Sequence, residues 1–262
     1  MRLRVVRLRL GDEALELTEY LTPRGRPVPA DSRSHDPWFQ HVAISVSDME
    51  RAYSRLRAHR VEHASPAPQQ LPAWNPSAGG IRALLLQGPG WPPARDPLVP
   101  DRQGDARWQR PDRRLFLGID HTAIVVADTE ASLGCYRDVL GLQVAGESQN
   151  YGPEQERLNN VSGARLRITT LRAPAGPGVE LLEYLAPRDG RPAPTDIRAN
   201  DLVHWRTLLI TADTAGVARA ARGSGCGTLM PDMVAPADPA LGFARGLLLR
   251  DPDGHALQVV QP

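Results

Sequence analysis

Several short runs of the chain alternate apolar and polar residues with a period of two, the pattern of half-buried strands. The clearest are HVAISVSD (His41 to Asp48), HTAIVVAD (His121 to Asp128) and RTLLITAD (Arg206 to Asp213), each ending in aspartate and each followed by a short helical segment. After the second run the helix reads TEASLGCYRDVL, and Gly141 is placed to end it as a C-cap. Further strands are expected at Ala164 to Leu171, Val179 to Leu185, Gly246 to Arg250 and Ala256 to Val260, the last two joined by the turn Asp251-Pro252-Asp253-Gly254. Residues Met1 to Leu10 alternate arginine with leucine and valine, which is again strand behaviour.

These elements repeat. LELTEYLTPRGRPVPADSRSHD (Leu15 to Asp36) returns as VELLEYLAPRDGRPAPTDIRAND (Val179 to Asp201), with Asp189 as one insertion, and the likeness runs on to about Val61 and Gly225. Each unit therefore reads strand, helix, three strands. Four units are expected, the first reduced to its final hairpin because its opening strand and helix are absent from the sequence, whether through an internal start or because the sequence is a fragment. The expected organisation is an N-terminal pair over residues 1–100, a linker at 101–116 within a Pro/Arg/Asp-rich stretch, and a C-terminal pair over 117–262.

Composition narrows the partners. The net charge is +1, without the concentrated basic surface that nucleic acid or an anionic membrane requires. All 31 cationic side chains are arginines, so no lysine is available as Schiff base or general base. No apolar run approaches a membrane span and no signal peptide is visible. Cys135 and Cys226 lie far apart with no metal-type spacing, so a disulfide is not expected and a cytoplasmic location is.

HTAIVVAD, VELLEYL and LLLRDPDGHALQVV, in that order in tandem units, resemble the vicinal oxygen chelate superfamily of glyoxalase I, bleomycin-resistance proteins and extradiol dioxygenases. The resemblance covers almost the whole chain. It implies an α+β fold in which tandem βαβββ modules, the first truncated, form curled mixed sheets around a cavity. It implies architecture more than chemistry. In metal-dependent members the ligands project from the first and last strands of paired units. Those positions fall on His41, His121 and Arg206, and on Glu16, Glu180 and Gln258. The second unit offers no acid at its last-strand position, where LLLQGPGWPPARDP reads as a degenerate or deleted strand.

Two pairings are open. The C-terminal pair would present His121, Glu180 and Gln258 as ligands, with Arg206 as a substrate clamp or as an ion-pair partner of Glu180, and His204 facing the same way. Pairing the second unit with the third would instead join His41 to His121 and Glu180, the set of two histidines and one carboxylate that suits iron or manganese. Such pairing arises within one chain or in a homodimer. Trp205, with Trp38 and Phe39, could stack on a ligand at the mouth. Glu19, Glu183 and His255 are expected to meet solvent, and His59 and His63 to sit on a solvated helix end. The expected function is binding of a small molecule, with a divalent ion (iron, manganese, zinc or nickel) supporting lyase, isomerase or dioxygenase chemistry. The alternative is a metal-free cup that sequesters a drug-like or natural-product ligand. No catalytic acid or base is assigned.

Overall fold

The computed structural model describes residues 1–87, 98–99, 106–109, 113–230, 232–236 and 241–262. The first unit is the hairpin β1 (Arg2–Leu10) and β2 (Glu13–Thr22). The second contains β3 (Phe39–Val46), α1 (Met49–Ala58), β4 (Gln69–Gln70), β5 (Arg82–Ala83) and β6 (Leu98–Val99). The third has β7 (Phe116–Val126), α2 (Thr129–Tyr136), β8 (Gln143–Tyr151), an inserted helix α3 (Pro153–Asn159), β9 (Arg165–Arg172) and β10 (Gly178–Ala186). The fourth has β11 (Arg206–Ile210), α4 (Thr214–Ala221), β12 (Gly227–Thr228), β13 (Arg245–Arg250) and β14 (Ala256–Gln261). In the expected linker, residues 101–105 and 110–112 lie outside the described residues, and Ala106–Gln109 form a 3-10 turn.

The aspartate that closes each alternating run has a physical role. Asp48, Asp128 and Asp213 are the N-caps of α1, α2 and α4, and their carboxylates accept the backbone N–H of Arg51, Ala131 and Gly216. Helix α2 is shorter than expected, but Gly141, at φ 75°, still closes the turn that follows it, where Leu142 N–H reaches the Tyr136 carbonyl at 3.0 Å.

The third unit orders its strands β7-β10-β9-β8 and the fourth β11-β14-β13-β12, so both share one topology. In each, the first and last strands run parallel. The second unit joins the third: β3 pairs antiparallel with the free edge of β7, and β6 pairs parallel with β3, giving a six-stranded sheet β6-β3-β7-β10-β9-β8. Among the described residues the last strand of the second unit is the two-residue β6, so it is not deleted; 88–97 and 100–105 lie outside the described residues. One face of this sheet packs Ile124, Val126, Val179 and Leu181 against α2 and the fourth unit's Leu247, Leu249, Leu257 and Val259. The other face carries Ala123, Val125, Leu166, Leu182 and Tyr184 beneath Val161 and Ala164.

Contrary to the expectation for the cysteines, Cys135 and Cys226 form a disulfide across 91 residues. Sequence distance hid this, because packing α2 against the fourth unit brings their Cα atoms to 5.1 Å inside the shared core. The cysteine argument for a reducing compartment thus falls away. No helix among the described residues is long and apolar enough to cross a membrane.

The two repeated loops hold each other in a reciprocal clamp. Arg26 donates to Asp196 and Asp201, and Arg191 donates to Asp31 and Asp36, the matching residues of the other copy. The backbone N–H of Arg26 also reaches Asp201 at 2.8 Å, and that of Arg191 reaches Asp36 at 2.9 Å. Hydrogen bonds from Arg26 hold the Asp201 carboxyl well below its usual range. A carboxylate whose pKa is depressed by folding adds stability above about pH 3.9, the unfolded value, and that stability drains away as pH falls further. Asp201→Asn should therefore lower stability at neutral pH and flatten the acid limb of a stability–pH curve. An acid limb parallel to that of the wild type would remove the clamp from the linkage.

Candidate metal centre

The site is built on a row of register partners. His41 on β3 and Glu180 on β10 both align with Ala123 of β7, one from each side, and His121 lies two residues before Ala123 on the same strand. Side chains two apart on a strand share a face. All three chemical groups therefore rise over the small Ala123 side chain at one end of the Leu182–Tyr184 face. One potential ligand atom from each of His41, His121 and Glu180 lies within 4.8 Å of the others. His121 Nε2 stands 3.4 Å from His41 Nε2 and 3.3 Å from Glu180 Oε2.

Strict alternation would put Phe39 and His41 on the same face, yet Phe39 belongs to the opposite core. The first of three register slips between β3 and β7 resolves this. The register slips between Phe39 and His41, leaving Gln40 as an extra residue on β3. It slips again where Ala43 faces His121 and Ile44 faces Ile119, leaving Asp120 extra on β7. A bulge re-aims the neighbouring side chain, and here the extra residues Gln40 and Asp120 each directly precede a histidine of the cluster.

Each extra residue also binds that histidine. His121 Nδ1 donates to Asp120 Oδ2 at 2.8 Å, and His41 Nδ1 meets Gln40 Oε1 at 2.9 Å. Asp120 accepts further bonds from Trp108 Nε1 at 2.6 Å and from the Arg172 guanidinium at 3.0 Å. Although burial works to raise the Asp120 carboxyl, its bond and charge contact with His121, and the charge of Arg172, hold it well below the ordinary range. Burial likewise opposes a charged His121, but Glu180 and the Asp120 hydrogen bond outweigh it and raise its affinity for a proton. Glu180 is fixed by the Thr170 hydroxyl, which donates to Oε1 at 2.9 Å and leaves Oε2 towards the histidines.

The donor set fits a divalent cation. With each Nδ1 carrying its hydrogen, both Nε2 lone pairs face each other and a carboxylate oxygen. Such an arrangement repels itself unless a proton or a cation lies between the groups. Metal–ligand bonds of about 2.0–2.2 Å separate neighbouring ligand atoms by roughly 3 Å, close to the 3.4 and 3.3 Å that His121 Nε2 keeps from His41 and Glu180.

Other expected site residues lie elsewhere. Arg206 and Gln258 sit on β11 and β14 in the second sheet, and no ion pair joins Arg206 to Glu180 among the described residues. The C-terminal pair as drawn from sequence is not assembled, because β7 pairs on its free edge with β3 and not with β11. His204 is part-buried, and burial together with Arg206 and Arg250 lowers its proton affinity. Trp205 stacks on Phe39, centroids 3.7 Å apart, partly buried against the core on the face opposite the cluster. Glu16 faces Arg7 in the exposed first hairpin. Of the groups expected in solvent, Glu19 is exposed and pairs with Arg4, and His59 is exposed. Glu183 is instead enclosed and accepts the Thr129 N–H at the start of α2. His255 is drawn in to the Val125 carbonyl at 3.0 Å, and the His63 ring packs beside Tyr53. Gln40, Asp120, Thr170 and Arg172 did not stand out in the sequence. Their one visible sign was the polar residue before the histidine in both FQHVA and IDHTA.

A cleft of about 360 Å³ between Ser32–His35 and Pro187–Asp189 is lined by neither of the cluster's histidines, and its Arg33, His35 and Asp189 are bonded to one another.

A family model matches residues 118–259, more than half of the chain, from within β7 to within β14. The chain belongs to the Glyoxalase/Bleomycin resistance protein/Dioxygenase superfamily. Among solved structures, glyoxalase I from Zea mays aligns with a TM-score of 0.62 and 16% identity, over 98% of this chain and 78% of that one. Two single-substitution variants of the same maize enzyme align with TM-scores of 0.65 and 0.63, each at 16% identity. They cover 98% and 99% of this chain and 78% and 80% of theirs. At that identity the likeness establishes the fold alone. No curated protein matches the chain by sequence.

Proposed function

We propose that this superfamily member is a metalloenzyme acting on a small molecule, with His41, His121 and Glu180 as the protein ligands of one divalent ion. The observation that carries the reading is the convergence of two imidazole Nε2 atoms and one carboxylate oxygen, each held from behind by a hydrogen bond. Two histidines and a carboxylate with positions left open suit iron or manganese better than a closed structural zinc site. A bound ion would act as a Lewis acid towards adjacent oxygens of a substrate or would bind dioxygen. The chain's own contribution is orientation. Asp120 and Gln40 fix the rings, Thr170 directs Glu180, and Arg172 keeps Asp120 anionic. The cluster is largely buried, with Glu180 retaining 18% exposure, so a ligand would approach from the Glu180 side. The substrate is a small molecule in this reading, since no membrane or nucleic-acid surface is implied by the balanced charge.

Elemental analysis after native purification tests this directly. A stoichiometric first-row divalent ion is expected, with Fe(II) and Mn(II) restoring occupancy after chelation. A protein that stays metal-free and takes up neither ion would return the alternative of a cup that sequesters an organic ligand.

A further inference from the structure

We infer that Gln40 is a positioning residue that fixes the tautomer of His41, doing with a neutral amide what Asp120 does for His121 with a charge. The inference deepens the metal reading and rests on it for its effect on affinity. Its geometry comes from the pseudo-symmetric bulges. Gln40, the extra residue on β3, and Asp120, one of two extra residues on β7, each immediately precede a histidine, and each side chain reaches that histidine's Nδ1.

An amide can present either its oxygen or its nitrogen, so the question is what orients Gln40. Its Nε2 lies 2.6 Å from the Ser34 carbonyl oxygen, which can only accept, and 3.1 Å from the Tyr184 hydroxyl. The nitrogen is thereby assigned to that side and the oxygen to His41. His41 Nδ1 must then carry the hydrogen, and Nε2 is left as a lone pair aimed at His121 and Glu180. A wrong tautomer would put a hydrogen where a metal must bind.

The setting is itself fixed by a directed chain of buried amides. Asn75 Oδ1 accepts the backbone N–H groups of Ser77 and Ala78, so its Nδ2 points to Asn150 Oδ1 at 2.7 Å. Asn150 then donates to Gln155, Gln155 to Asn159, and Asn159 to the Tyr184 hydroxyl at 2.6 Å. The chain runs from the 71–81 loop through α3 to the oxygen that receives Gln40. All five amide side chains belong to residues less than 6% exposed. Reversing any one would set like against like, at a cost that burial magnifies.

The test reads the tautomer separately from the metal. In long-range proton–nitrogen NMR spectra of the chelated wild type at alkaline pH, His41 should be the Nδ1–H tautomer. Gln40→Met should convert it largely to Nε2–H while His121 keeps its Nδ1–H form. The same substitution should weaken Co(II) binding by roughly 10–100-fold, the usual effect of removing a group that orients a ligand. Finding His41 as Nε2–H in the wild type overturns the inference and needs no variant to fold. So does a folded Gln40→Met protein that retains Nδ1–H. A wild type that takes up no Co(II) defeats the metal reading instead, and the tautomer measurement then decides the role of Gln40 alone.

Discussion

His121→Ala and Glu180→Ala should each strip the bound divalent ion, and His41→Ala should do the same, whereas His59→Ala should leave it in place. The three residues supply the only convergent donor set of histidine, cysteine and carboxylate groups among the described residues. Losing an outer partner of a ligand costs roughly 10–100-fold in affinity. Losing the ligand itself should cost more, because the ion then has one fewer protein bond and the remaining groups are oriented for a partner that is gone. His59 is exposed at the end of α1 and belongs to no cluster. The double substitution of His41 and His121 should be far from additive, since either single change already disables the shared site. Metal content, and the loss of the thermal stabilisation that added ion gives the wild type, are the two readouts. Stoichiometric metal surviving His121→Ala together with Glu180→Ala would remove this site from consideration.

Much of that site was legible in the sequence. The resemblance placed His121 and Glu180 at the first-strand and last-strand ligand positions, and the repeat supplied His41 as the matching position in another unit. The choice of partner was not legible. Chain order makes the third and fourth units look like a pair, but a strand edge is filled by whichever strand reaches it, and β3 reaches β7. Gln258 and Arg206 were grouped with His121 and Glu180 for that reason, whereas they lie on the other sheet. The bulges were also invisible, because an extra residue in a strand changes which face a side chain takes without changing the residues themselves. Period-two reading would turn Phe39 inward with His41. In the structure Phe39 stacks on Trp205 in the opposite core, and Gln40 takes a place beside the histidine. The disulfide escaped for a third reason: Cys135 and Cys226 are joined by packing between units, which local sequence does not encode. The arginines and aspartates of the repeated loops are visible in the sequence, but their exchange of partners between copies appears only in three dimensions.

The same clamp sets the largest expected effect on stability, at a residue that bears no chemistry. Gly25→Ala should destabilise the protein severely, and Gly190→Ala somewhat less. These glycines precede Arg26 and Arg191 in the two copies of the loop, and each lies where one copy crosses the other. A Cβ at Gly25 would fall 1.6 Å from the Asn200 carbonyl oxygen and 2.5 Å from the Asp201 nitrogen. A Cβ at Gly190 would fall 2.1 Å from the carbonyl oxygen of His35, the residue that matches Asn200 in the repeat. Neither obstacle is the end of a flexible side chain that can swing aside. The loops would have to separate, which also breaks the bonds from Arg26 to Asp201 and from Arg191 to Asp36. Overpacking a well-filled interior costs about 1–3 kcal/mol, and two backbones forced apart belong at or above the top of that range. Gly134→Ala is the control. It lies inside α2, where an added Cβ meets nothing within 4 Å, so it should stabilise by about 0.5–1 kcal/mol. Denaturant unfolding distinguishes the three variants, the midpoint falling for Gly25 and Gly190 and rising for Gly134 with little change of slope. The damage should also reach the metal centre, because the loop that Gly25 anchors carries Ser34, whose carbonyl holds the Gln40 amide. If Gly25→Ala unfolds at the wild-type midpoint, the two loops do not cross as closely as the structure places them, and the clamp loses its role in positioning His41.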